Sequence, residues 1–212
     1  RSTSRYAWQK VDGHFVNSEG DRIKGAVKKG IDVSEHNGKI NWRQVKEDGI
    51  DFAIIRCGYG SNHSSQDDER WEYNVEQCEK YGIPYGVYIY SYADSVAKAD
   101  SEAEHVLRLL KGHHPTYPVY YDMEDDRLLK VSDTSVAGLA RTFCRTVKSA
   151  GYDVGVYANL SWWNDHLTSS SFDKWSKWVA HYNPTCGYKE DYDMWQCTSS
   201  GRVDGVDGNV SL

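Results

Sequence analysis

The chain has 212 residues, 39% hydrophobic and 26% charged, with a formal net charge of −6. That is length and apolar content for one large domain with a full core, and it excludes a disordered chain. The acidic balance without any basic stripe excludes the usual nucleic-acid binder, and no apolar run approaches the roughly 20 residues that span a bilayer. There are 16 Tyr and 8 Trp against only 4 Phe. Tyr and Trp join a flat apolar face to a polar handle, and such faces stack on sugar rings as well as inside cores.

Residues 1–28 stand apart from the rest. The opening "RSTSRYAWQK" lacks Met and reads as a fragment of a longer protein or a processed product. "WQKVDGHFVNSEGD" reads as two short strands around Asp12-Gly13, a hairpin signal. Alone it is too small to be stable, so it reads as an appendage, the remnant of a repeat-type wall-binding or linker module. From residue 29 to residue 212 a different rhythm runs. "GIDVS" (30–34) is a short strand and "INWRQVKEDG" a helix closed by Gly49. "DFAIIRCGYG" (51–60) is a strand and 68–82 a helix stopped by Gly82. "PYGVYIYSYAD" (84–94) and the helix 98–112 come next, then the strand "YPVYYDMEDD" and the helix 135–151. Strands at 153–160, 177–183 and 191–198 follow, with "GNVSL" as a last short one.

The helices stop at Gly, and near-continuous apolar strands suit parallel pairing buried on both faces. Up to eight strands alternating with helices predict an α/β fold, an irregular TIM-like βα barrel whose last third lacks full helices. An open doubly wound sheet is the alternative.

In such folds chemistry collects at the C-terminal ends of the strands. In chain order those ends carry Asp32 with Glu35 and His36, Arg56 and Tyr59, Tyr90 and Tyr92, and Asp122 and Glu124. Tyr157 with Asn159 and Trp162, His181 with Tyr182, and Gln196 complete the series. The whole describes a concave, carboxylate-bearing, aromatic-lined site. Asp122 and Glu124 share one strand face, with Cα atoms roughly 6.5 Å apart at about 3.3 Å per residue. Crowding and partial burial would hold one of them protonated near neutral pH. A protonated carboxyl beside an ionised one is the tool set for glycosidic cleavage. Asp125 and Asp126 fall past the strand and read as solvated loop acids. A purely structural pairing with Arg or Lys, and a Mg²⁺ site, are the competing readings of the acid pair.

The remaining reactive residue types add little. His113-His114 reads as an exposed loop pair, and no H-E-x-x-H occurs. The five cysteines show no CxxC pair and no zinc-finger spacing. Cys57 and Cys144 lie in apolar runs and read as buried thiols, while Cys186 and Cys197 are placed to pair across a loop.

"GIDVSEHNGKINWRQVKEDGIDFAIIRCGYG", "YGVYIYSYA", "VYYDMED", "WWNDHL", "WVAHYN" and "MWQCTSSGRVDGVDGNV" together resemble, in order, glycoside hydrolase family 25, the N-acetylmuramidase lysozymes. The match covers roughly residues 29–212, with 1–28 outside it. The resemblance implies an irregular βα barrel that cuts the β-1,4 bond between N-acetylmuramic acid and N-acetylglucosamine in peptidoglycan. It implies Glu124 as general acid, Asp122 as second catalytic carboxylate and Asp32 as an acid of the site floor. Arg56, Tyr59, Tyr90, Tyr92, Tyr157, Trp162, His181, Gln196 and Asp207 are the candidate substrate-binding residues.

The chemistry is expected to need no metal or cofactor. The partner is expected to be the peptidoglycan glycan strand, met by a secreted or cell-wall-associated monomer. One departure stands out. The family usually ends with G-x-V-D, and here Ser211 occupies the place of that Asp; Asp207 is the nearest carboxylate upstream. Two rivals stay open: a wall-binding module that has lost activity, towards which Ser211 leans, and a chitinase-like glycosidase, which would usually show a longer D-x-x-D-x-D-x-E run.

Overall fold

Near-continuous apolar strands must be covered on both faces, and the chain does this by curling one parallel sheet around its own inner face and laying helices outside it. The computed structural model describes residues 5–212, so the first four residues of the appendage lie outside it. Strands β1 (Gln9–Val11) and β2 (His14–Val16) form an antiparallel hairpin. The main sheet holds seven strands side by side in chain order: β3 (Gly30–Val33), β4 (Phe52–Tyr59), β5 (Tyr85–Tyr90), β6 (Val119–Asp122), β7 (Val154–Asn159), β8 (Ser176–Ala180) and β9 (Met194–Gln196). Every neighbouring pair is parallel. Parallel neighbours need a crossover, supplied by α1 (Trp42–Glu47), α2 (Trp71–Tyr81), α3 (Val96–Leu110), α4 (Asp133–Ser149) and the short α5 (Leu160–Asp165). Asn41, Ser95, Ser132 and Asn159 cap four of these helices through their side chains, each satisfying an N-terminal amide. Between β8 and β9 no helix forms, as the sequence of the last third suggests.

The two faces of the sheet are distinct cores. Outward residues such as Ile31, Ile55, Val87, Tyr121, Val156 and Val179 pack with the helices. Inward residues Phe52, Ile54, Tyr120, Tyr157, Trp178 and Ala180 form a second core inside the curl. Large rings fit there because glycines face them. A Cβ on Gly155 would lie 2.5 Å from Cε1 of Tyr120, and one on Gly30 would lie 2.5 Å from the Phe52 ring.

Three expectations are corrected. The strand read as "YPVYYDMEDD" ends at Asp122, so Glu124 lies just beyond it. "GNVSL" is not an eighth strand. Val210 and Ser211 make isolated antiparallel bridges to Gly201 and Asp32, because no helix after β9 turns the chain back into parallel register. The amide of Asp32 donates to Ser211 O at 3.2 Å, and that of Cys197 to Leu212 O at 2.9 Å. This tail spans the gap between β3 and the end of β9. Lastly, all five cysteines are free. Cys197 is drawn under the C-terminal tail while Cys186 packs beside Tyr192.

The N-terminal segment docks on the other end of the sheet. The Trp8 ring packs at a tilt 5.6 Å from Trp195 and 5.7 Å from Phe15, and Lys29 Nζ donates to Trp8 O at 3.2 Å. Between residues 23–29 and the starts of β3, β4 and β9 lies a cavity of about 380 Å³ that reaches Asp32. Among the described residues no helix is long and apolar enough to cross a membrane.

Candidate active site

The alternation of β6 continues past its end. Tyr121 and Met123 are fully buried in the outer core, so Asp122 and Glu124 point inward. The backbone there stays pinned on both sides: Ser91 N donates to Asp122 O at 3.0 Å and Met123 N to Tyr157 O at 2.9 Å. Asp122 is 5% exposed. Its carboxyl meets that of Glu124 within hydrogen-bond reach. Yet Asp122 Oδ1 and Glu124 Oε2 are buried with no hydrogen-bond partner. Burial pushes both carboxyls upward, Asp122 well above the ordinary range, where the Glu124 charge and Asp32 add to it while Arg56 opposes it. Two touching carboxyls cannot both ionise cheaply, so the pair holds one proton between them.

Asp32 lies on the inner face of β3, next to β4. Burial pushes it up to about 7, and the charge of Glu124 adds to that shift. Gln196 opposes it, donating Nε2–H to Asp32 Oδ2 at 2.7 Å. The other end of the same amide is spoken for: Gln196 Oε1 accepts from Tyr157 OH at 2.7 Å and Tyr182 OH at 2.8 Å. Gln196 is therefore a fixed relay among the floor residues, 3% exposed, not a group open to a ligand.

Arg56 is likewise engaged. It donates Nε–H to Asp68 Oδ2 and an Nη2 hydrogen to Glu35 Oε1, both at 2.8 Å, and lies 5.5 Å from the Tyr59 ring. The Asp68 side chain is fully buried. Arg56 acts on the acids as a nearby positive charge held by a structural pair.

One wall is aromatic. Tyr59 meets Tyr92 edge-on at 6.0 Å, and Tyr90 lies 5.0 Å from Tyr92. Tyr90 OH donates to Asp125 Oδ2 at 3.1 Å, and Arg127 lies 4.3 Å over Tyr92. Asp125 is thus part of the wall, against the sequence expectation of a solvated loop acid. Burial and the charges of Asp122, Asp125 and Glu124 raise the Tyr90 hydroxyl above its usual range, which places Tyr90 beside the acids.

Other sequence candidates are placed elsewhere. Trp162 is 7% exposed, sits in the outer core and packs 4.7 Å from His166. His181 Nδ1 accepts from Gly187 N at 2.9 Å, a contact that shapes its loop. Asp207 is exposed on the turn before the C-terminal tail, and no described contact joins it to the acids. His36 is exposed. His113, read as exposed, is half-buried edge-on against Trp71 at 5.9 Å.

Sequence reasoning missed Tyr88 and Glu102. Tyr88 lies on the inner face of β5, two residues before Tyr90, and feels Asp32, Arg56 and Asp122; alternation alone would have found it. Glu102 lies on a helix, where no strand-end argument reaches. Among the described residues no group of three His, Cys, Asp or Glu side chains is arranged to hold a metal ion.

Residues 31–206 match the model of glycosyl hydrolases family 25. Among similar proteins is lysozyme M1 of Streptomyces globisporus, 32% identical over 203 residues, covering 85% of this chain and 65% of that one. The modular autolysin LytC of Streptococcus pneumoniae, also solved with a synthetic peptidoglycan ligand, superposes with a TM-score of 0.85 at 31% identity. That match covers 98% of this chain and 51% of LytC. A bacterial lysozyme of Streptomyces coelicolor superposes with a TM-score of 0.73 at 28% identity, covering 89% of this chain and 91% of that one. The chain thus spans about half of the LytC chain and just under two thirds of lysozyme M1.

Proposed function

The chain belongs to family 25 of the glycosyl hydrolases, and from that premise we propose that it is a muramidase. It cuts the β-1,4 bond between N-acetylmuramic acid and N-acetylglucosamine in peptidoglycan. In this reading residues 29–212 are the catalytic barrel and 1–28 an appendage. The protein works as a secreted or wall-associated monomer, where its substrate is.

One observation carries the mechanism: the contact of two buried, partly unpartnered carboxyls, Asp122 and Glu124. Inverting glycosidases keep their carboxyls roughly 6.5–9.5 Å apart to admit a water; the close coupling of Asp122 to Glu124 does not favour that spacing. The contact supports substrate assistance, in which the sugar's own 2-acetamido oxygen attacks the anomeric carbon. The acetamido N–H donates to Asp122 and stabilises its ionised form. The shared proton then belongs to Glu124, which passes it to the leaving glycosidic oxygen. Asp122 holds the positive charge that grows on the acetamido group, and water opens the ring intermediate with Glu124 as base.

Tyr90, Tyr92 and Tyr59 offer apolar faces and hydroxyls to sugar rings, and Asp32 with Gln196, Tyr157 and Tyr182 makes the floor. Trp162, His181 and Asp207 take no part in this reading.

The test is a purified cell wall incubated with the protein, followed by borohydride reduction and sugar analysis. Clearing of turbidity with reduced muramic acid at the new ends is expected. Reduced glucosamine instead would move the cut to the other glycosidic bond, and no clearing at all would favour the inactive binding module.

A further inference from the structure

Glu102 is the buried acid that the proposed chemistry does not use. It lies on α3, in the helical layer outside the sheet, and is 1% exposed. A carboxylate so placed costs several kcal/mol unless its oxygens are all satisfied, and here they are. Glu102 Oε2 accepts from Tyr92 N at 2.9 Å. Oε1 accepts from Ser91 Oγ at 2.7 Å and from the hydroxyl of Tyr121. Ser91 Oγ in turn accepts from Ala93 N at 3.1 Å.

Each of these donors belongs to the cleft's support. Ser91 and Tyr92 follow directly on β5 and carry the aromatic wall between them and Tyr90. Tyr121 is the outward neighbour of Asp122 on β6, stacked face to face on Phe143 at 4.0 Å. One carboxylate therefore ties the end of β5 to the end of β6 from behind. The same helix face holds the next loop: His105, fully buried, contacts Gly60 O at 2.9 Å and Asp67 Oδ1 at 2.7 Å. That loop begins after Tyr59, whose ring meets Tyr92.

We propose that Glu102 is a positioning residue of the active site, whose carboxylate sets the place of Tyr92 and Tyr90 relative to Asp122 and so governs how tightly the sugar is held. This deepens the muramidase reading and rests on it. Glu102 touches no substrate; it acts through the Tyr92 amide and the Tyr121 hydroxyl.

The variants separate positioning from stability. Glu102→Met keeps the bulk and strips Tyr92 N–H and two hydroxyls of their acceptor. Glu102→Gln keeps an acceptor for Tyr92 N–H, since the hydroxyls of Ser91 and Tyr121 can turn to receive the amide protons. On a soluble glycan fragment, Glu102→Met is expected to raise KM roughly tenfold or more with a smaller change in kcat, because a loss of binding made equally in ground and transition states appears in KM. Glu102→Gln should recover most of that loss. Hydrogen exchange at the Tyr92 amide should speed up in the Met variant and stay slow in the Gln variant.

A folded Glu102→Met protein with wild-type KM, whatever its melting temperature, overturns the proposal. If the Met variant does not fold, Ser91→Ala and Tyr121→Phe, which delete the hydroxyl donors singly, decide by the same KM measurement, and a wild-type KM in both overturns it. The wild-type enzyme on the same fragment tests the muramidase reading separately, and the amide exchange reads the clamp even if the fragment is not cut.

Discussion

Strand β6 has a buried carboxyl system on each face, and the two are treated in opposite ways. Behind it, Glu102 has three donors and holds two strand ends together. In front of it, Asp122 and Glu124 face each other with an unpartnered oxygen apiece. Burial raises all three above the ordinary carboxylate range, so burial alone does not separate them. Satisfaction does. An unsatisfied buried acceptor costs about 1–3 kcal/mol, a cost that a purely structural acid has no reason to carry. The outer acid is frame; in the muramidase reading the inner pair meets the acetamido N–H as a donor and the glycosidic oxygen as the acceptor of the Glu124 proton.

The sharpest way to break this contrast is Glu124→Gln. It keeps the shape and removes the transferable proton, so lysis of cell walls should fall by about 10²–10⁴-fold, with the folded state retained by circular dichroism. Near-normal lysis by a well-folded variant would return the inner pair to the structural category.

Asp122→Asn comes next. The charge it removes acts on the transition state, so kcat should drop by roughly 10²–10³-fold with KM little changed. Because an uncompensated buried carboxyl is also removed, the melting temperature should hold or rise. A large rise in KM at constant kcat would make Asp122 a binding residue and end the substrate-assisted scheme.

Gln196→Leu tests whether the floor belongs with the frame or with the site. The change leaves Asp32 Oδ2 and the hydroxyls of Tyr157 and Tyr182 without their partner. A loss of about 1–3 kcal/mol of stability per unsatisfied buried group is expected in urea unfolding. An unchanged midpoint would mean that the floor is solvated.

The last test is in pH. Asp32 has a folded-state pKa raised to about 7, above its unfolded value of about 3.9. A raised carboxyl contributes stability that is fully present below the unfolded pKa and is lost as pH rises through the folded one. The difference in melting temperature between Asp32→Asn and the wild type should therefore grow in favour of the variant from pH 4 to pH 7, then level off. A difference that stays flat over that window would place Asp32 in a more solvated setting.

The sequence made the barrel legible because parallel strands buried on both faces are continuous apolar runs, and these read plainly from 51–60, 84–94 and 153–160. The acid pair was legible for a related reason: period-two spacing at a strand end needs no knowledge of other strands. What did not show is whatever depends on distant partners. Gln196 read as a sugar ligand because its three partners lie far off in the chain, on β3, on β7 and just after β8. Trp162 read as site-lining because burial against His166 is invisible in a helix start. Asp125 read as solvated because its partner, Tyr90, lies 35 positions away. The C-terminal "GNVSL" read as a strand on composition, whereas its pairing is limited to isolated bridges on either side.

The seat of Asp32 has a consequence for the order of events in folding. Its carboxylate is held by a side chain 164 positions later, and its backbone amide by Ser211. Closing a loop of that length yields no local reward along the way, and such distant pairings slow folding and come late. A chain still emerging from the ribosome would carry β3 to β7 with their helices long before the floor of the cleft exists. The acids of β6 would meet their neighbour Asp32 as a finished group only once the last strand and the tail arrive. The seam between the first and last barrel segments is thus the part of the fold that closes last.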